Sequence, residues 1–124
     1  MNVVDSSGWL EYFANGPNAN FFAPPIEDTD KLVVPTIAVL EVFKRVLQQR
    51  GESDALQAAA LMQLGRLINL DLPIALLAAK LGCDLKLPLA DSVILASARV
   101  HGAVLWTQDE DFKGIAGVKY TAKG

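Results

Sequence analysis

Along the chain, short unbroken apolar runs alternate with longer stretches in which apolar positions recur every three or four residues. The first rhythm predicts buried strands and the second predicts helices with one face in a core. "MNVVD" at the start reads as a strand, followed by Ser6 or Ser7 as cap of a helix through "GWLEYFA". "NGPNAN" and the Pro-containing, acidic "APPIEDTD" read as loops, and "KLVVP" as a second strand. Thr36 is expected to cap a helix reaching Gln49, with Gly51 as its stop, and Ser53 to open another that runs to about Leu67. "INLDLP" reads as a third strand, and Pro73 starts a helix through "IALLAAKLG". "LPLADSVILASAR" predicts the last helix, ended by Gly102, before a strand at "AVLWT" and a fifth at "GVKY". Continuously apolar strands that alternate with helices predict an α/β domain over residues 1–124. Its central, mostly parallel sheet has four to five strands flanked by helices.

Composition narrows the setting. With 124 residues, 52% of them hydrophobic, one domain buries about two thirds of its unfolded surface and needs no external staple. Cys83 is the only cysteine, which leaves no internal disulfide and no cysteine-rich zinc site. No apolar run approaches the ~18 residues of a membrane span, and "MNVVD" lacks the pattern of an export signal, so a cytoplasmic protein without a membrane partner is expected. The net charge of −3 weighs against nucleic-acid binding, which usually wants a basic surface.

The acids change that picture. Ligands of open α/β sheets gather at the carboxyl ends of the strands. Asp5 ends the first strand, and Asp109 follows "AVLWT" by two residues. Asp91 shares one helical face with Ile94, Leu95 and Ala98, so a carboxylate tops a stripe that should be buried. Glu41 lies in a similar position, one turn after Ile37 and Ala38. Each has an ordinary explanation: Asp5 a helix cap, Glu41 a partner of Arg45, Asp91 a favourable charge at a helix start, Asp109 to Asp111 a solvated turn. Together they fall on one sheet edge. Two carboxylates ~4 Å apart repel by about 4 kcal/mol at an effective dielectric of about 20, so the group needs protons or a cation. Oxygen donors without His or Cys suit Mg²⁺ or Mn²⁺, and phosphodiester hydrolysis is the natural chemistry.

Four segments in order resemble the PIN-domain family, and within it the small VapC-type toxin ribonucleases. They are "VVDSSGWLEYF" (3–13), "VPTIAVLEVFKRV" (34–46), "LPLADSVILASAR" (87–99) and "HGAVLWTQDEDF" (101–112). The resemblance implies a single PIN-like domain whose acidic site falls on Asp5, Glu41, Asp91 and Asp109, with Asp111 as rival or additional metal ligand. Ser6 and Thr107 match hydroxyl residues able to hydrogen-bond the site's carboxylates. It implies a Mg²⁺- or Mn²⁺-dependent endoribonuclease acting on structured RNA, often tRNA, usually a homodimer and held inactive by a cognate antitoxin. Lys44, Arg45 and Arg99 lie on the site-bearing helices, where they can touch an RNA backbone. A basic antitoxin tail could place an Arg among the acids as a competing cation.

Two rival functions are a PIN-like scaffold without catalysis and a phosphoacceptor signalling domain. The scaffold should have lost part of the acidic set; the signalling domain should carry paired acids after the first strand, where "VVDSS" offers one. The single His101 has no G-x-S-x-G partner for a serine hydrolase. Trp9, Trp106, Tyr12 and Phe13 are expected in the core rather than stacked on bases, and "SDALQAAALMQLGRL" fits core packing as well as a subunit or antitoxin contact.

Overall fold

A computed structural model describes all 124 residues. In chain order it contains β1 (Asn2–Val4), α1 (Ser6–Phe13), α2 (Ala19–Glu27), β2 (Val33–Pro35), α3 (Thr36–Arg50), α4 (Glu52–Met62), β3 (Arg66–Ile68), α5 (Leu72–Leu85), α6 (Leu89–Val100), β4 (Val104–Thr107) and β5 (Val118–Tyr120). Single 3₁₀ turns occupy Thr29–Lys31 and Glu110–Phe112.

All five strands run parallel. β4 lies between β1 and β5, while β2 pairs with β3. One bridge, Asn2 to Leu32, links the three-stranded and two-stranded groups. The α/β architecture expected from the apolar rhythm is therefore present, although a single bridge rather than a ladder joins the two groups of strands. Val3, Val4, Val33, Val34 and Leu105 are all buried, as strands covered on both faces must be. From α6, Ile94, Leu95 and Ala98 enter the same core below Asp91. No helix is long and apolar enough to cross a membrane.

Several local expectations are corrected. "APPIEDTD" is not all loop, because α2 extends through Pro24 and Pro25 to Glu27. Two prolines remove two helical donors, but Phe22, Pro25 and Ile26 are buried, and that packing holds the turn. Gly8 allows the close approach: a Cβ there would stand 2.6 Å from both Phe22 and Val4. The helix expected to reach Leu67 ends at Met62, and the third strand is Arg66–Ile68 rather than "INLDLP". Arg66 and Leu67 are exposed on this strand, so it carries little apolar signal. Capping also differs. Asp5, not Ser6 or Ser7, caps α1; Pro35 precedes α3, with Thr36 inside it; and Gly51, at φ 92°, both ends α3 and opens α4.

Candidate functional site

The site is built from the strand ends outward. Val4 pairs with Trp106, so the next residues, Asp5 and Thr107, sit side by side at the carboxyl edge. Asp5 is 2% exposed, and its burial is offset by three donors. Oδ1 accepts from Gly8 N (3.0 Å) and Ser7 Oγ (2.8 Å), and Oδ2 accepts from Thr107 Oγ1 (2.7 Å). Burial still pushes its carboxyl up to about 6, with the donors pulling the other way and Asp109 adding repulsion. Thr107 Oγ1 also accepts from Asp109 N at 2.9 Å, which ties the following turn to the same hydroxyl. Asp109 Oδ1 in turn accepts from Asp111 N at 2.9 Å and caps the 3₁₀ turn.

Asp91 stands in the first turn of α6, half-buried above its apolar stripe. Its carboxyl is pushed up to about 7, first by desolvation and then by the charges of Asp109, Asp5, Asp111 and Glu41. Every charged group acting on it is an acid. Glu41 on α3 does not serve mainly as a partner of Arg45; its Oε1 accepts from Ser6 Oγ at 2.6 Å, which joins α3 to the start of α1.

Of the five acids singled out, Asp91, Asp109 and Asp111 form the tightest group, each offering an oxygen within 4.8 Å of the others. Asp109 and Asp111 thus both lie within reach of Asp91. Asp5 and Glu41 stand outside this trio but close enough to repel Asp91. The donor set is all carboxylate oxygen, and oxygens bound at about 2.1 Å to one Mg²⁺ lie roughly 3–4 Å apart. A hard divalent ion fits these residues, and such a cation relieves the repulsion that raises Asp91.

Sequence reasoning missed an amide network beside the acids. Gln108, 7% exposed, accepts from Asn18 Nδ2 (2.9 Å) and donates to Ser7 O (3.4 Å); Asn18 Nδ2 also reaches Ala122 O (2.9 Å). These contacts clamp the β4 turn, the start of α1 and the C-terminal tail. Loop amides have no spacing signature, and only the position of Gln108 between Thr107 and Asp109 hinted at a role. Trp9 is buried, as expected, while Trp106 is half-buried with Nε1 donating to Asn2 Oδ1 at 2.9 Å.

The chain is thus a parallel α/β domain with carboxylates collected at one sheet edge. The PIN domain family profile matches residues 3–118. This protein belongs to the PIN domain family. No curated protein matches it. Among solved structures, it is similar to a toxin-antitoxin complex from Klebsiella pneumoniae, with a TM-score of 0.80, 25% identity and 96% of each chain covered. It has the fold of VapC20 from Mycobacterium tuberculosis, described as a sarcin-ricin loop cleaving toxin (TM-score 0.77, 15% identity, 94% of this chain and 95% of that one). The fold is shared with DNA-bound VapBC from Salmonella typhimurium (TM-score 0.75, 14% identity, 98% of each chain).

Proposed function

We propose that this protein is a Mg²⁺- or Mn²⁺-dependent endoribonuclease toxin, with Asp5, Glu41, Asp91 and Asp109 as its reactive acids and Asp111 completing the metal ligands. The observation that carries the proposal is the trio of carboxylate oxygens within 4.8 Å, with Asp91 raised to about 7 by desolvation and then by its acidic neighbours. Family membership and likeness to toxin structures support the same activity.

Asp91, Asp109 and Asp111 would hold the ion, and Asp5 and Glu41 add the negative charge that draws it in. A divalent ion there supplies Lewis-acid polarisation of a phosphodiester and a lowered pKa for water. Asp91 gives up its proton in exchange for the cation. Asp5, fixed by three donors, keeps the β1 and β4 ends in register and so sets the distance between the α6 acid and the Asp109 turn. Without a cation, five acids would repel a phosphate, so metal governs substrate approach as well as reaction. The same charge favours a cognate antitoxin whose basic segment competes for the acids, and the toxin acts as a cytoplasmic homodimer in its free form.

The test is incubation of the purified protein with total tRNA, with and without Mn²⁺, beside Asp91→Asn. Cleavage that requires Mn²⁺ and disappears in the variant is expected. Cleavage that persists in Asp91→Asn, or none under any metal, would contradict the proposal.

A further inference from the structure

Five polar side chains are buried. Ser92 and Ser97 turn back onto carbonyls of their own helix, whereas Asp5, Thr107 and Gln108 reach across elements at the acidic edge. Gln108 is the one of these three that makes no hydrogen bond to an acid. A buried amide costs stability unless it is partnered, and an apolar side chain would fill the same space without that demand. What the amide adds is direction. The turn after it carries Asp109 and Asp111, and it is tied on both sides, by Gln108 before it and by the fully buried Phe112 after.

The partner of Gln108 is equally particular. Asn18 occupies the N-cap position of α2, where Asn ordinarily accepts from the helix amides, yet its side chain makes no such bond. Its two amide hydrogens go instead to Gln108 Oε1 and to Ala122 O, each at 2.9 Å. Its backbone is steadied by Glu11, whose Oε2 accepts from Asn18 N at 2.7 Å. The tail it reaches is lightly held. Beyond β5, Thr121 N donates to Thr107 O at 3.0 Å, and Ala122, Lys123 and Gly124 are exposed. A terminus with so few ties opens locally at little cost.

We propose that Gln108 is a positioning residue for the acidic site, and that through Asn18 it couples cation binding by Asp91, Asp109 and Asp111 to docking of the C-terminal tail. The proposal rests on the metal-dependent reading above and adds a control on it. With the tail docked, Asn18 is held toward Gln108, and the Asp109 turn keeps the place where its oxygens meet that of Asp91. With the tail released, Asn18 is free to turn back and cap α2, and Gln108 Oε1 loses its donor. The turn is then tied only through Thr107 and Phe112. Such coupling is reciprocal: whatever tail docking adds to cation affinity, the cation adds to tail docking.

The experiment titrates Mn²⁺ into the full-length protein, counting the free ion by electron paramagnetic resonance, beside Gln108→Met, Asn18→Ala and the double variant. Met keeps the length of the side chain without its amide, and thermal unfolding in chelator reads the structural cost of each change separately. Gln108→Met is expected to weaken Mn²⁺ binding about tenfold, the lower end of the loss when a residue behind a metal ligand is removed. Asn18→Ala is expected to weaken it several-fold. The double variant should lose no more than Gln108→Met alone, because the two residues act through one link. In the parent, Mn²⁺ is expected to slow hydrogen exchange of the Thr121 amide several-fold; in Gln108→Met it should not. A lowered Tm with parental Mn²⁺ affinity in both single variants, additive losses in the double variant, or tail exchange indifferent to Mn²⁺ in the parent would overturn the proposal. The outcome is separable from that of the nuclease reading. RNA cleavage by the parent with unchanged Mn²⁺ affinity in the variants sinks the coupling alone, and the expected binding losses without any cleavage by the parent sink the nuclease alone. A parent that binds no Mn²⁺ overturns both.

Discussion

Asp5 and Asp91 face the same cluster of acids but are built in opposite ways. Asp5 is almost fully buried, yet three donors meet its two oxygens and hold its carboxyl near 6. Asp91 is only half-buried, yet its carboxyl is raised to about 7, first by desolvation and then by four acids with no donor to offset them. Burial alone would predict the reverse order. The difference separates an acid held by donors from one surrounded by other acids, and it predicts that the two respond differently to loss of their charge.

The largest expected effect is on activity. Asp91→Asn should lower metal-dependent RNA cleavage at least about 10³-fold, since it removes a ligand whose ion supplies several kcal/mol of transition-state stabilisation. In metal-free buffer at pH 7.5 the same variant should be more stable than the parent by about 1–2 kcal/mol in urea unfolding. This is well below a direct conversion of the shift, because solvent screens a half-exposed carboxyl. Asp5→Ala should behave oppositely and lose about 2–4 kcal/mol, since it removes the α1 cap and strands Thr107 Oγ1 and Ser7 Oγ. If both variants shifted stability in the same direction, the contrast between frame and ligand would be lost.

A pH series sharpens the same contrast. Both carboxyls are raised in the folded protein, so the native state binds more protons than the unfolded chain between the ordinary value of 3.8 and about 6 for Asp5 or about 7 for Asp91. Without metal, stability should therefore fall as pH rises through that window and level off above about 7. Excess Mn²⁺ should reverse the trend, adding most stability where the protons have left; thermal unfolding with chelator or Mn²⁺ from pH 4 to 8 checks it. The smallest effect is expected for Ser6→Ala, which frees Glu41 from its 2.6 Å partner: about 1 kcal/mol of stability in urea unfolding and a several-fold loss of cleavage.

How much of this was legible in the sequence follows from the same physics. Strands β1, β2 and β4 announce themselves because buried parallel strands are largely apolar, while the exposed Arg66 and Leu67 hide β3 and the exposed Lys119 weakens the signal of β5. The second helix was obscured by Pro24 and Pro25, whose local cost is offset only by tertiary burial of Phe22 and Ile26. The acids were legible because Asp91 breaks an otherwise buried helical face. The cap role weighed for Asp5 turned out to be real as well, and Asp109, weighed only as part of a solvated turn, also caps the turn that follows it. The hydrogen bond between Thr107 and Asp5, and the Gln108 and Asn18 clamp, depend on contacts between residues about ninety or more positions apart and left no local pattern.

The most direct measurement is anomalous diffraction from crystals soaked in Mn²⁺ near pH 7.5. A peak is expected within about 2.2 Å of carboxylate oxygens from Asp91 and Asp109, beside Asp111 and absent from Asp91→Asn crystals. A fully ordered site with no peak there, or the same peak in the variant, would show that these acids do not gather around a cation.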